Sequence, residues 1–510
     1  MSDDFENSVI NLKLLIDEEK NKVVFAEAGT DFVDILFSFS TLPMGTIVRL
    51  LEMHHKSRSI AIGCINNIYA SVVTMGMKHF STEACKQMLL FPGSLNQDKC
   101  QKIKLKIDDS EATKCYMCPM FVRSGQCSKG YSNFKTSRCS CGNFMDEVIQ
   151  FQGEGGRGNG SQAGVFVRGA HTSFIITDDM KVQVNSVGST LNVLKDLGYA
   201  DCDKLVEMIL EVNLQEVATL LVCLFTSDTP LTDTFLKKKS SHGMNRIHKR
   251  PSPSLSEDRE ETKADQTITL NAYVRKEEGN ILYVECGDDF VDLLFSFLAM
   301  PLESVWDISG RGIILGCIGN LCKSFKDLSS ASATEASAFK CVLPHYYKCQ
   351  KQLLNDVVTT HQPPTYYRFV SFSADHFREY RLSENSGKRL VYDWDKLVPV
   401  TSIDPKTEGN NTAETSGFVK RGTKFMVTDD LIITPSNSTS TIGFLKEKQT
   451  RLDEVEIRVI NMTKEEAIRL LGASMVTSSA LSTGLLAMES ASTSDPKCRF
   501  FKKPKIETET

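Results

Sequence analysis

The second half of this sequence repeats the first. Glu27–Phe39 aligns almost residue for residue with Glu285–Phe297. Later landmarks recur in the same order, Gly63–Ile65 with Gly316–Ile318 and Phe174–Asp179 with Phe425–Asp430. Because the shared order spans almost all of each half, it predicts a tandem duplication of one domain instead of a short-period solenoid.

The repeat also predicts where the domains begin and end. A chain of 510 residues is too long for one ordinary core. We expect a first copy at 1–236, a basic Pro/Ser linker at 237–264, a second copy at 265–489 and a disordered tail at 490–510. In the linker, Lys237–Lys239 with Lys249 and Arg250 fit a bipartite nuclear import signal.

Each copy mixes strand and helix patterns, which predicts an α+β fold. Alternating apolar residues at 12–16 and 22–26 predict a hairpin. A helix is predicted from Asp31, as its N-cap, through Asp34 in the first turn to about Leu42, where Pro43 ends it. Strands are predicted at 103–107 and 165–176, and helices at 205–210 and 217–225.

Composition and the N-terminus limit the classes of protein. A net charge of -5 excludes a globally basic nucleic-acid-binding surface. The N-terminus lacks the apolar core of a secretory signal and the arginines of a transit peptide, and no stretch fits a membrane span. We therefore expect no membrane partner and a cytoplasmic or nuclear location, where sixteen cysteines favour buried thiols and a metal site over disulfides.

Four cysteines of the first copy are spaced like metal ligands. Cys115 and Cys118 form a Cys-x2-Cys pair, and Cys139 and Cys141 form a Cys-x-Cys pair. Each pair can supply two corners of a tetrahedron, which predicts structural zinc in a small zinc-ribbon-like loop at 115–145, with Cys127 as the substitute ligand. Unligated or redox-active cysteines are the alternative. Nearby basic residues would favour thiolate formation: Lys114, Arg123, Lys129, Lys135 and Arg138.

Other recurring residues have a chemical and a structural interpretation. Repeated acids could bind a hard cation or act as general acid and base, but helix caps and turns explain them without chemistry, and we favour that interpretation. They are Glu27 and Glu285, Asp31 and Asp289, Asp34 and Asp292, and Asp178–Asp179 with Asp429–Asp430. Cys64 and Cys317 recur without a matching histidine, which favours buried thiols. Gly153–Gly158 fits a dinucleotide fingerprint but lacks the required strand and helix, so a flexible loop is predicted.

Several motifs resemble those of the plant family catalogued as domain of unknown function 674. They are Phe25–Glu27, Asp31–Asp34, Leu42–Pro43, Gly63–Ile65, Asn67–Tyr69 and Thr177–Asp179. The resemblance spans nearly the whole chain, and it implies no established activity. Members of the family also tend to carry a cysteine pair and then a Cys-Pro-x-Cys-Gly knuckle followed by Met. Here the knuckle is Cys139–Gly142 with Met145, one residue shorter.

The second copy lacks the cysteine motif. Tyr366 and Phe369 take the places of Cys115 and Cys118, and 384–387 replaces the later knuckle. This loss fits a scaffold in which aromatic packing substitutes for zinc. We therefore expect a non-enzymatic binding or scaffold protein with a protein partner. The alternatives are a hydrolase-like or divalent-cation enzyme using the repeated carboxylates, and a nuclear protein associated with nucleic acid.

Overall fold

The computed structural model describes most of both halves. The described residues are 9–54, 62–108, 113–124, 127, 129–151, 164–167, 171–237, 267–310, 317–329, 341–349, 353–372, 378–383, 397–407 and 417–486. The predictions for Lys249 with Arg250, for Gly153–Gly158, for 384–387 and for the C-terminal tail lie outside these residues.

The first half contributes two groups of strands and a set of mostly short helices. The strands are β1 (Ile10–Asp17), β2 (Lys22–Gly29), β3 (Cys115–Met117), β4 (Gly130–Ser132), β5 (Glu147–Phe151), β6 (Ser173–Thr177), β7 (Val182–Val184) and β8 (Leu205–Val212). The helices are α1 (Thr30–Thr41), α2 (Met44–His54), α3 (Ile65–Thr74), α4 (Glu83–Leu90), α5 (Gln97–Cys100), α6 (Pro119–Ser124), α7 (Val187–Asp196), α8 (Leu214–Thr226) and α9 (Pro230–Phe235), with a 3-10 turn at Met77–His79.

The second half follows a similar sequence of elements. Its strands are β9 (Ile268–Arg275), β10 (Ile281–Cys286), β11 (Cys341–Leu343), β12 (Val358–Thr360), β13 (Tyr366–Phe372), β14 (Arg378–Ser383), β15 (Val398–Ser402), β16 (Phe425–Thr428), β17 (Ile433–Pro435) and β18 (Val455–Met462). Its helices are α10 (Asp288–Ala299), α11 (Leu302–Ile308), α12 (Ile318–Ser329), α13 (Ser438–Glu447), α14 (Lys464–Val476) and α15 (Ala480–Leu485), with 3-10 turns at His345–Tyr347 and Leu452–Glu454.

Each half builds one five-stranded sheet. The strand orders are β7-β6-β2-β1-β8 and β17-β16-β10-β9-β18. The predicted hairpin is β1 paired antiparallel with β2, and Leu12, Leu14 and Ile16 alternate into the core from β1. The predicted helix is α1, which is buried along most of its length and gives way to an extended Leu42 before Pro43. The α+β fold class is therefore confirmed.

Four local predictions were wrong or only partly right. Residues 205–210 were predicted as a helix but belong to strand β8, which pairs along its whole length with β1. The local pattern is compatible with a helix or a strand, and pairing in the sheet selects the strand. Residues 103–107 alternate in burial but form bends without a strand. Within 165–176 the described strand begins only at Ser173. Gly29, not Asp31, is the N-cap of α1, and Asp31 lies in the first helical turn.

The two halves hold each other through matched contacts. Asn67 on α3 donates from Nδ2 to the carbonyl oxygen of Asp430 at 2.7 Å, and Asn320 on α12 donates to that of Asp179 at 2.8 Å. Ser71 on α3 accepts from the backbone N–H of Ile433 at 2.9 Å. Each Cys-Ile-x-Asn segment thus begins a helix that reaches the sheet of the other half.

Further contacts join the halves at the centre of the molecule. Pro43 and Pro301 form an isolated antiparallel bridge. The N–H of Met44 donates to the carbonyl of Met300 at 3.0 Å, and the N–H of Leu302 donates to that of Leu42 at 3.1 Å. Buried side chains from both halves form one continuous hydrophobic cluster. The larger part of the core is therefore shared between the halves.

Both halves also complete a single closed barrel. Its strand order is β13-β14-β5-β3-β4-β15, three strands from each half. The seams between the halves are the parallel pairs β14–β5 and β15–β4, for example Leu382 opposite Phe151 and Ser402 opposite Tyr131. The barrel has its own small core, which includes Met117, Tyr131 and Val400. This barrel carries the cysteine-rich hairpin.

Candidate metal centre

A tight turn between β4 and β5 presents two of the cysteines. The N–H of Cys139 donates to the carbonyl of Asn143 at 2.9 Å, and the N–H of Gly142 donates to that of Cys139 at 2.8 Å. Gly142 has a φ of +88°, a conformation that favours glycine. The buried Met145 follows and donates its N–H to the carbonyl of Ser137 at 2.9 Å. The shortened knuckle therefore forms a closed, hydrogen-bonded hairpin tip.

Four cysteine sulfurs converge beside this turn. The Sγ atoms of Cys118, Cys127, Cys139 and Cys141 all lie within 4.8 Å of one another. The Sγ atoms of Cys118 and Cys141 are 3.6 Å apart, and those of Cys127 and Cys139 are 3.1 Å apart. With a Zn–S bond of about 2.3 Å, a regular tetrahedron has S–S edges of about 3.8 Å, so small adjustments would accommodate the ion.

Three of the four predicted ligands belong to this group, and Cys115 does not. Cys127, the predicted substitute, takes the fourth place. The reason is that Cys115 lies inside β3, opposite Ile149, with its side chain in the barrel core. Side chains in a strand alternate between faces, and Cys118 comes after the strand has ended. The Cys-x2-Cys pair is therefore not a single knuckle.

The second half helps to position Cys118. This residue precedes α6, and Arg368 on β13 donates from Nη1 to the carbonyl of Phe121 at 2.9 Å. The Arg368 guanidinium also lies 4.2 Å from the centre of the Phe121 ring. A residue of one half thereby fixes the helix that follows a candidate ligand in the other.

Burial decides the protonation of the deepest thiols in the absence of a cation. Burial raises the pKa of Cys118, although backbone N–H groups of Phe121 and Met120 oppose that rise. Burial likewise raises the pKa of Cys115 to about 12. The basic residues predicted to favour thiolates are exposed, and at Cys118 they do not outweigh burial. A bound cation would have to displace protons from such thiols.

The second half replaces the motif with aromatic packing. Phe369 on β13 is buried. The Tyr366 ring packs against Tyr131 with ring centres 4.9 Å apart, and Tyr131 belongs to the barrel core. The side chains aligned with Cys115 and Cys118 therefore pack in and around the barrel.

Most of the repeated acids accept hydrogen bonds within the fold. Asp34 accepts from the backbone N–H groups of Val165, Phe166 and Val167, so it anchors to α1 a segment that lies much later in the chain. Its counterpart Asp292 accepts from the N–H groups of Phe418 and Val419. Six others accept hydroxyl hydrogen bonds: Asp178 from Thr232, Asp429 from Ser482, Asp179 and Asp430 from Thr177 and Thr428, and Glu27 and Glu285 from Ser173 and Ser436. Asp289 accepts from the N–H of Phe290, and Asp31 is exposed.

Cys64 and Cys317 are buried, as the sequence predicted. Cys64 donates to the carbonyl of Thr477 at 3.0 Å, and Cys317 lies 3.6 Å from that of Ser227. Burial raises the pKa of each thiol to about 12. Both cysteines therefore serve the junction between the halves.

A family comparison identifies the relatives of this chain. A family model described as "Protein of unknown function (DUF674)" matches residues 6–465. The chain belongs to the DUF674 family. The match covers most of both halves and confirms the resemblance read from the motifs. No curated protein and no solved structure matches the chain. Among the helices of this DUF674 protein that the structure describes, none combines the length and apolar character needed to cross a membrane.

Sequence reasoning missed one buried polar cluster of this DUF674 chain. The Lys406 side chain is 0% exposed, and its Nζ donates to the carbonyl of Tyr346 and to Asp404 Oδ1, both at 2.8 Å. Thr82 of the first half donates to the carbonyl of Pro405 at 2.7 Å. The cluster therefore ties α4 to a loop of the second half. The local sequence offered only a turn signal, because the burial of Lys406 arises from distant chain segments.

We expect Asp178→Ala to lower the free energy of unfolding by about 2–3 kcal/mol, because it leaves a buried donor pair without its acceptor. Asp178 accepts from the N–H of Thr232 at 3.0 Å and from its Oγ1 at 2.7 Å. Asp31→Ala is the control, since Asp31 is a repeated but exposed acid, and should change stability by less than about 0.5 kcal/mol. Urea denaturation measures both. Unchanged stability in Asp178→Ala would contradict the structural role.

His345 is expected to make the fold sensitive to acid. Burial lowers the His345 pKa from 6.5 to about 4, and the Lys406 charge adds to the effect. Between these pH values the unfolded chain binds a proton that the folded chain excludes, so this contribution to stability falls as the pH falls. Relative to His345→Asn, wild type should lose about 2 kcal/mol more between pH 7 and pH 4.5, allowing for partial exposure. Parallel urea curves of the two proteins would contradict this.

Proposed function

We propose that this DUF674 chain is a non-enzymatic binding or scaffold protein whose first half carries a structural zinc. The observation that carries the proposal is the convergence of Cys118, Cys127, Cys139 and Cys141. Four thiolates fill the tetrahedral coordination of zinc, which leaves no position for a water or substrate. The ion would therefore hold the hairpin in place, and binding would fall to the surface around it.

The chemistry and the chain positions of the donors support zinc. Thiolates suit zinc better than hard cations such as magnesium or calcium. The donors come from separate positions: one before α6, one in the following loop and two in the hairpin turn. A metal that joins distant positions stabilises the fold most, because it closes loops that are otherwise costly to order.

The arrangement of the acids favours this proposal over the enzyme alternative. A hydrolase or divalent-cation enzyme would need carboxylates that converge on a shared space. Asp34 and Asp292 instead accept backbone N–H groups, and Asp178 and Asp429 each accept from a neighbouring hydroxyl. Within the described ranges, the cysteine group is the one set of His, Cys, Asp or Glu donors close enough to hold a metal.

We also infer that the two halves descend from one duplicated domain. The equal strand orders of the two sheets support this inference. So do matched contacts such as Ser71 with Ile433 and Ser324 with Val182, at 2.9 and 3.0 Å. The two copies would then have kept the joint between them while one of them lost the metal ligands.

The proposal has a two-part test on the full chain. Native mass spectrometry should find one zinc per chain, removed by a strong chelator. Affinity capture should recover specific protein partners with wild type and fewer with Cys139→Ala Cys141→Ala. Cys202→Ala, an exposed cysteine outside the group, is the matched control and should behave as wild type. A zinc-free protein would overturn the zinc, and the absence of any specific associate would overturn the binding role.

A further inference from the structure

The surface around the cysteine group is basic although the whole chain is acidic. Residues 113–151 contain five Lys or Arg and two Asp or Glu, whereas the chain carries a net charge of -5. All five basic side chains are exposed: Lys114, Arg123, Lys129, Lys135 and Arg138. The ion pair from Arg123 to Glu147 is long at 3.9 Å and lies on the surface. Such a concentrated positive patch attracts a polyanion.

The same surface exposes flat and apolar side chains. Phe144 at the hairpin tip is 40% exposed, and the Arg138 guanidinium lies 4.3 Å from its ring centre. Arg138 is held in this position because its Nη1 donates to the carbonyl of Gly142 at 2.9 Å. On the outer face of the barrel, Val148 is 54% exposed and pairs across the strands with the half-buried Tyr116.

We propose that this basic hairpin surface binds single-stranded nucleic acid. We define the surface by Lys114, Tyr116, Lys135, Arg138, Phe144 and Val148. The lysines would contact phosphates, and unstacked bases would stack on the planes of Phe144 and Arg138. The proposal adds a nucleic-acid partner to the protein partners tested above, and it rests on the proposed function in one respect, that zinc holds the hairpin.

The observations favour a single strand over other polyanions. An acidic peptide would neutralise the positive charge, but its carboxylate side chains have no flat group to stack on the exposed ring of Phe144 beside the Arg138 guanidinium. A duplex keeps its base faces stacked and is read through its grooves, usually by a helix or a two-stranded ribbon. The Phe144 tip instead offers a ring and a guanidinium plane, which suit bases of any sequence.

The test measures binding of the full chain to fluorescein-labelled 20-nucleotide strands of uridine and of thymidine by anisotropy. Lys114→Glu Lys135→Glu should weaken binding at least about tenfold and reduce the salt dependence. Lys195→Glu Lys446→Glu makes the same change in net charge on the exposed helices α7 and α13 and should weaken binding less than about twofold. Phe144→Ala should weaken binding about five- to tenfold, whereas Phe144→Tyr, which keeps an aromatic ring, should bind like wild type. Preference for the uridine strand would indicate RNA, and preference for the thymidine strand DNA.

Three outcomes would overturn the inference. They are no binding by zinc-loaded wild type, equal losses in the two double-charge variants, and tighter binding of a glutamate 20-mer than of either strand. Native mass spectrometry of each sample separates this inference from the zinc proposal. If zinc-loaded protein binds neither strand, only the nucleic-acid proposal is overturned. If zinc-free protein binds a strand, only the proposal of a structural zinc is overturned.

Discussion

Cys127→Ala is expected to abolish zinc binding, whereas Cys115→Ala should retain one zinc per chain. The reason is geometric, because Cys127 belongs to the group of sulfurs within 4.8 Å of one another and Cys115 lies in the barrel core. Native mass spectrometry under reducing conditions with zinc supplied measures the stoichiometry. Because structural zinc contributes folding free energy directly, Cys127→Ala should also lose at least about 3 kcal/mol of stability.

The Cys115→Ala variant is the control for this experiment. It removes a buried sulfur from the barrel and should cost about 1–2 kcal/mol through packing alone. Both variants lose one cysteine, so a general effect of thiol number would appear in both. Retention of zinc by Cys127→Ala together with its loss in Cys115→Ala would restore the ligand set read from the sequence and contradict the observed geometry.

The two halves are expected to fold together and not separately. Fragments 1–250 and 251–510 expressed alone should each lack cooperative unfolding, because each contributes three of the six barrel strands and each leaves part of the shared core exposed. Mixing the fragments during refolding should restore a one-to-one complex with the circular dichroism and melting transition of the intact chain. Analytical ultracentrifugation and thermal denaturation measure these results.

A protease site inserted within 237–264, the predicted linker, provides the control for the fragment experiment. Cleavage between the halves should leave them associated under native conditions and separate them only in denaturant. The loss of Asn67 and Asn320, which reach across the junction, should weaken the complex formed by the fragments. A first half that folds alone as a stable monomer would contradict this prediction.

Local patterns predicted the elements that depend on local sequence. The hairpin β1–β2 and helix α1 follow from alternation and from a long apolar run that Pro43 ends. Strand β8 was missed because the apolar residues of Leu205–Val212, interrupted by Glu207 and Glu211, fit a helix as well as a strand. Its pairing with β1 involves residues almost two hundred positions away. The barrel could not be predicted, because β3 and β4 are three residues long and two of its seams join the halves.

The sequence predicted three of the four cysteines that cluster in the structure. Cysteine spacing identified Cys139 and Cys141, a close pair that the hairpin turn brings together, and it identified Cys118 through its spacing from Cys115, although Cys115 lies apart from the group. The fourth residue depends on whether Cys115 lies in a turn or in a strand. Only the pairing of β3 with β5 turns its side chain into the barrel. The buried Lys406 was beyond prediction for the same reason, since its partners come together through tertiary contacts.

The barrel seams have a consequence for how this protein can change over generations. Because each half supplies three strands of the barrel, we expect that neither half can be transferred to another protein as a folded module. If the halves arose by duplication, the proposed metal ligands were free to diverge, since Tyr366 and Phe369 of the second half stand at the places of Cys115 and Cys118 and pack in and around the barrel. At the seams and at the contacts between the halves, we expect substitutions to be correlated. A substitution in one half restricts which residues the contacting position in the other half can accept.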